Sequence, residues 1–197
     1  FQSKLNQIFS QKGEGWVEKT LEKTFKLKSG EGLTSKMMIQ DGEYPVYGGN
    51  NIAGYFDKFN FEHGVIVGRV GALCGNARFI NEKVWITDNA FKLTEFKYEF
   101  DFKFLSYLLN FKNLRSYARQ AAQPVISNSS LKDVILNFPN SIETQQQIVT
   151  QLDQLQEQTN LLVTKYKQKL ANLEELKKSI LEKAFKGELS TKEIEKV

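Results

Sequence analysis

The stretch Gly68-Arg69-Val70-Gly71-Ala72-Leu73-Cys74-Gly75 has the glycine content of a loop that cradles phosphate. It lacks the Lys-Ser/Thr ending of a P-loop and its glycines miss the GxGxxG spacing, so it reads as tight turns between strands. Thr87-Asp88-Asn89-Ala90-Phe91 lacks both prolines of the Asn/Asp-Pro-Pro-aromatic loop of amino-methyltransferases, and no glycine-rich βαβ unit for a methyl donor accompanies it. Glu95-Phe96-Lys97 offers a Glu-x-Lys spacing, but none of Pro45, Pro124 and Pro139 is followed by the Asp that magnesium-dependent nuclease chemistry would need. His63, between Glu62 and Gly64, reads as a turn histidine, and Cys74, in apolar company, as a buried structural thiol. One cysteine and one histidine supply neither a disulfide nor a transition-metal ligand set. The expectation is a chain with no catalytic residues, no metal and no cofactor.

Side chains suited to contacting nucleic acid are plentiful, and they gather in loops. Tyr47, Asn50, Asn51, Tyr55 and Lys58 surround a Gly-Gly turn. Arg69, Asn76, Arg78 and Asn89 follow, then Arg115, Arg119, Gln120, Gln123, Ser127 and Asn128. Asn and Gln read adenine edges, Arg reads guanine, and Lys, Ser and backbone amides hold phosphates. Each also has a structural use: Asn50 and Asn51 in turn geometry, Arg69 in an ion pair, Asn128 as a cap.

Two kinds of element must position them. Candidate strands Tyr44–Tyr47, Gly64–Gly68, Ala77–Ile80 and Ala90–Leu93 are separated by Gly/Asn turns, with a short segment at Trp16–Leu21 and a last strand at Val134–Phe138. Around residues 102–120 the apolar period shifts toward 3.6 and predicts one or two helices. From Glu143 to Gly187 there is no Pro and no internal Gly. Ile148, Leu152, Leu155, Leu162, Tyr166, Leu173, Leu176 and Ile180 recur there with heptad spacing, interrupted at Thr159 and Lys169. Ser141 or Thr144 is the expected N-cap and Gly187 the stop. The fold class is therefore α+β: a mixed α/β domain of short strands, followed by a long coiled-coil-type helix that reaches about 65 Å and needs a partner helix along its seam.

Composition agrees with two physically different parts. Of the 24 aromatic residues, 22 precede residue 143. Residues 1–142 hold 18 Lys+Arg against 14 Asp+Glu, whereas residues 143–189 hold 7 of each, so all of the +4 net charge lies in the first part. An excess of this size permits nucleic-acid binding without demanding it. No run of 18 apolar residues and no charged-then-apolar leader is present, from which a cytoplasmic protein without a membrane span is expected. The chain opens on Phe1, so a fragment or processed product is expected.

Several ordered segments together carry a resemblance. Tyr44-Pro45-Val46-Tyr47-Gly48-Gly49-Asn50 with Gly54-Tyr55, then Gly64 to Ala72 with Cys74-Gly75, and Thr87-Asp88-Asn89-Ala90 resemble a target-recognition domain in the specificity subunit of type I restriction–modification enzymes. Gln123-Pro124-Val125-Ile126-Ser127, Leu131, Pro139 and the helix start at residues 143–149 continue it in order. Leu173 to Leu181 with Ala184-Phe185-Lys186-Gly187-Glu188-Leu189 is similar to the end of that family's spacer helix. Residues 4–14 partly echo residues 179–188, which suggests that residues 1–14 are the tail of a preceding spacer helix; otherwise they form an N-terminal helix.

The resemblance implies a recognition domain at residues 15–142, a spacer and dimerisation helix at 143–189 and a polar tail at 190–197. It implies a non-catalytic subunit that reads one half of a bipartite target on double-stranded DNA. Its implied partners are methyltransferase (modification) subunits, a restriction/translocase subunit, and, through the long helix, a second repeat of the same chain or a homodimer partner. The alternative is a coiled-coil scaffold whose globular domain binds protein.

Overall fold

Val65, Ile66 and Val67 form an unbroken apolar run, and all three are fully buried in the centre of a four-stranded antiparallel sheet. A run without polar alternation is what a strand covered on both faces requires. The computed structural model describes residues 2–10, 13–49, 51–119 and 123–188. Along them lie α1 (Gln2–Ser10), β1 (Trp16–Thr20), β2 (Lys26–Ser29), β3 (Tyr44–Gly48), β4 (Asn51–Phe56), β5 (Gly64–Gly68), β6 (Ala77–Ile80), β7 (Trp85–Ile86), β8 (Ala90–Thr94), α2 (Phe102–Phe111), a short α3 (Asn128–Leu131), β9 (Ile135–Pro139) and α4 (Ile142–Phe185).

The strands form three sheets: β2-β8-β5-β6, β4-β3-β7, and the pair β1-β9. In the second, β3 pairs antiparallel with β4 and parallel with β7. The pair β1-β9 joins Trp16 to Pro139 and Thr20 to Ile135, closing the two ends of the domain on each other. Helix α2 packs on β5 and β6. Its Phe104 and Phe111 receive the ring of Phe9 from α1, at 5.6 and 5.2 Å between centroids.

The chain divides into two units, Gln2–Gln151 and the residues from Leu152 onward. The first is larger than residues 15–142, because α1 and the first turns of α4 belong to it. The start of α4 is capped by Ser141, whose Oγ accepts from Thr144 N at 3.2 Å. Gln145 then fixes the helix to the domain. Fully buried, it accepts from Asp101 N at 2.9 Å and donates to Pro139 O at 2.9 Å and Glu99 O at 3.2 Å.

In the second unit α4 continues to Phe185. At 1.5 Å per residue, residues 152–185 extend for about 50 Å. The helix stops at Gly187, whose φ of 70° is left-handed. The backbone bonds Glu188 N to Lys183 O and Gly187 N to Ala184 O close a Schellman motif there. Leu162, Tyr166, Leu173, Leu176 and Ile180 are all exposed, as are Leu161, Leu170, Leu181 and Phe185. Ile148 and Leu152, expected in the pairing seam, are instead buried within this chain. Ile148 follows Gln145 by three residues and is drawn into the domain with it. The open stripe therefore begins at the half-buried Leu155.

Candidate nucleic-acid interface

Three segments distant in sequence meet backbone to backbone beside the tip of the β3-β4 hairpin. A Cβ at Gly68 would collide with the carbonyl oxygen of Gly49, and one at Gly75, itself at φ 83°, with the backbone of Leu114 and Arg115. Only glycine allows this approach. Residues 68–76 close on themselves through Gly75 N to Gly68 O (2.8 Å), Gly68 N to Asn76 O (3.0 Å) and Cys74 N to Gly71 O (3.0 Å). They are tied onward by Gly71 N to Pro124 O (3.1 Å) and Ile126 N to Arg69 O (3.0 Å). The Thr-Asp-Asn-Ala segment locks to the hairpin: buried Thr87 donates from both N (3.0 Å) and Oγ1 (3.1 Å) to Tyr47 O, while Asn89 O accepts from Arg69 N (2.9 Å). The glycine-rich motif is thus a rigid loop support.

The expected contact residues that the structure describes fall into three groups on this frame. Asn51, Arg115 and Arg119 are exposed, and each is tied to the glycine-rich loop: Asn51 lines a groove with Val70, Ala72 and Leu73, Arg115 Nη1 donates to Ala72 O, and Arg119 N donates to Val125 O at 3.0 Å. Val125 in turn bridges to Val70. Asn89 is exposed close by.

The second group serves the scaffold. Tyr47 is buried, with the Arg78 guanidinium 5.4 Å from its ring centre. Arg69 lies over Phe91 at 5.4 Å and its Nη1 reaches Ser29 Oγ and Asp88 O, both at 3.4 Å. Asn76 supplies its carbonyl to the loop. Ser127 caps α3 in a reciprocal box with Ser130, and Asn128 Nδ2 donates to Leu27 O at 3.1 Å. In the third group, Tyr55 and Lys58 are exposed but lie at the far end of the hairpin, beyond the Val46/Tyr47 bulge. Asn50 and Gln120 lie outside the described residues.

Sequence reasoning missed three amides and two aliphatic side chains. Asn110 donates to Ala77 O (2.9 Å) and accepts from Ala77 N (2.7 Å), standing in for a strand at the edge of β6. Asn60 does the same for Ile86, at 3.0 and 2.8 Å, and Gln145 does it at the helix base. Ile52 and Leu73 are exposed apolar residues that line a groove of about 250 Å³ next to Asn51. Their position beside Gly/Asn turns was the only available signal.

The residues tested for catalysis are otherwise engaged. His63 pairs with Asn81 Oδ1 at 2.9 Å and packs against Phe79 and Phe102. Glu95 is ion-paired with Lys26. Cys74 Sγ donates to Arg69 O at 3.3 Å, and burial pushes its thiol above the ordinary range, away from a nucleophilic thiolate. Among the described residues no group of three His, Cys, Asp or Glu is placed to hold a metal, and no helix is long and apolar enough to cross a membrane.

Comparison with known proteins places this architecture. The chain is 32% identical over 148 residues to the type I restriction enzyme EcoprrI specificity subunit of Escherichia coli, a match covering 72% of this chain and 36% of that protein. A type I restriction–modification S subunit from Mycoplasma genitalium superposes with a TM-score of 0.65 at 26% identity, covering 76% of this chain and 41% of the other. A chain from a structure of type I R-M complex assembly shares the fold, with a TM-score of 0.78 at 22% identity over 95% of this chain and 51% of that one. This chain thus spans roughly a third to a half of the length of these relatives. The family model described as the type I restriction modification DNA specificity domain matches residues 13–172, and the chain belongs to that family.

Proposed function

We propose that this chain is a non-catalytic reader of double-stranded DNA that recognises one half of a bipartite target for a type I restriction–modification complex. The observation that carries the reading is the rigid loop cluster presenting Asn51, Arg115 and Arg119 on a domain of the DNA specificity family. An exposed amide and two exposed guanidiniums on a fixed support suit base edges and phosphates. In this reading α4 sets the distance between two half-sites by pairing with a second long helix, from another repeat or another copy. The exposed stripe from Leu162 to Ile180 supports that role, because so much apolar surface on one face of a helix is costly in water. Methyltransferase and restriction subunits would assemble on it, in the cytoplasm where the DNA is. Residues 1–14 would be the tail of a preceding spacer helix, a reading supported by the echo of residues 179–188 in residues 4–14.

The test is recovery of duplexes from a random library by the methyltransferase complex assembled with this chain, at physiological salt. A short enriched motif, alone or as two halves at fixed spacing, is the expected result. No enrichment from a correctly assembled complex would leave the chain a scaffold.

A further inference from the structure

The groove beside Asn51 is apolar where the proposed DNA-reading surface would be expected to be polar. Its walls come from two segments, Ile52 and Ala53 on the hairpin and Val70, Ala72 and Leu73 on the glycine-rich loop, and among the described residues no charged side chain lines it. Ile52 is 50% exposed and Leu73 37%. A single exposed aliphatic residue on a protein surface needs no explanation. Two of them, held by different segments across one groove whose support is backbone packed on backbone, form a shaped surface.

The rim carries the opposite chemistry. Asn51 borders the groove on the hairpin side, and the Arg115 guanidinium sits at the Ala72 carbonyl with its other N–H groups available for a further acceptor. In the major groove of B-DNA the one apolar group on a natural base edge is the 5-methyl of thymine, flanked by hydrogen-bonding positions of the same and neighbouring pairs. An amide, a cation and an aliphatic slot side by side match that pattern.

We propose that this groove takes the 5-methyl edge of a thymine in the recognised half-site, with Asn51 and Arg115 addressing the polar edges or phosphate beside it. The inference rests on the DNA-reading proposal and sharpens it. It assigns Ile52 and Leu73 a part in specificity, and it requires a thymine at a defined position of the half-site.

The experiment uses the complex of this chain with its methyltransferase subunits and the duplex recovered by selection. Each thymine of the half-site is replaced in turn by uracil, which removes the methyl group and keeps every hydrogen-bonding atom. At one position the replacement weakens binding about fourfold, the worth of one buried methyl. Ile52→Ala or Leu73→Ala binds the thymine duplex more weakly and no longer distinguishes it from that uracil duplex. The measurement on the unaltered protein stands even if a variant misfolds. A selected half-site without thymine, or one in which every thymine-to-uracil exchange leaves the affinity unchanged, overturns the methyl slot while DNA reading stands. A selection that yields no motif removes both.

Discussion

In the unit Gln2–Gln151, amides that could face water are turned to the backbone: Gln145 satisfies three peptide groups, and Asn60 and Asn110 each satisfy both polar groups of one residue. From Leu162 onward in α4 the reverse holds, since the apolar side chains of the heptad are the ones left in water. A buried polar group with its partners in place is finished structure. An apolar stripe along a helix is surface awaiting burial. The first unit fixes a few exposed side chains on a hydrogen-bonded frame, and the second leaves an apolar stripe in water.

Breaking the second half of that contrast should have the largest effect. Leu162→Lys with Leu173→Lys removes two leucines from the exposed stripe, and each buried leucine is worth about 1.5–3 kcal/mol. Helix pairing should weaken by roughly 10² to 10⁴-fold. Sedimentation equilibrium and circular dichroism check this together. Association should be lost while the helical content and the melting of the domain are kept, and a domain that melts earlier would mean that the stripe serves its own chain.

Breaking the first half should cost stability instead. Gln145→Ala leaves Pro139 O at a buried site, and Asp101 N and Glu99 O at part-buried ones, without that partner, and an unmet buried group costs about 1–3 kcal/mol. A loss of about 4 kcal/mol is expected, equal to a fall in melting temperature of roughly 10 °C. Thermal unfolding followed by circular dichroism measures it. A change under about 1 kcal/mol would show that water replaces the amide and that the helix base is not held by Gln145.

What could be read from the sequence divides along the same line. Local patterns were legible: the apolar run of Val65–Val67, the Ser141 cap and the Gly187 stop each act within a few residues. Strand β4 was not, because Gly54 and the neighbouring Asn and Gly residues give it the composition of a turn, and its pairing with β3 overrides that. Ile148 and Leu152, placed in the pairing seam by their heptad spacing, are buried within this chain. Heptad spacing describes which residues share a face but says nothing of what covers it. Among the candidate contact residues, Asn51, Arg115 and Arg119 share a chemistry with Arg69, Arg78 and Asn128. Only the tertiary neighbours, the Phe91 and Tyr47 rings and Leu27 O, tell the two sets apart.

That separation can be sharpened with two arginines. Arg119 is exposed, and its backbone N–H, bonded to Val125 O at 3.0 Å, survives truncation of the side chain. Arg119→Ala should therefore leave the melting temperature within a degree or two of the parent. If Arg119 meets a phosphate, the slope of log K against log salt should become less steep by about 0.9, the worth of one phosphate contact on duplex DNA. Arg69→Ala should do the opposite. It removes a guanidinium that covers Phe91 and reaches Ser29 Oγ and Asp88 O, so the domain should melt several degrees earlier. Its salt slope should match the parent's, because a side chain spent on the scaffold neutralises no phosphate. Binding isotherms at three or more salt concentrations, with melting curves of the same preparations, separate the two effects. Equal slopes for Arg119→Ala and the parent would remove Arg119 from the phosphate-contacting set and leave Asn51 and Arg115 to carry the loop cluster's contact with DNA.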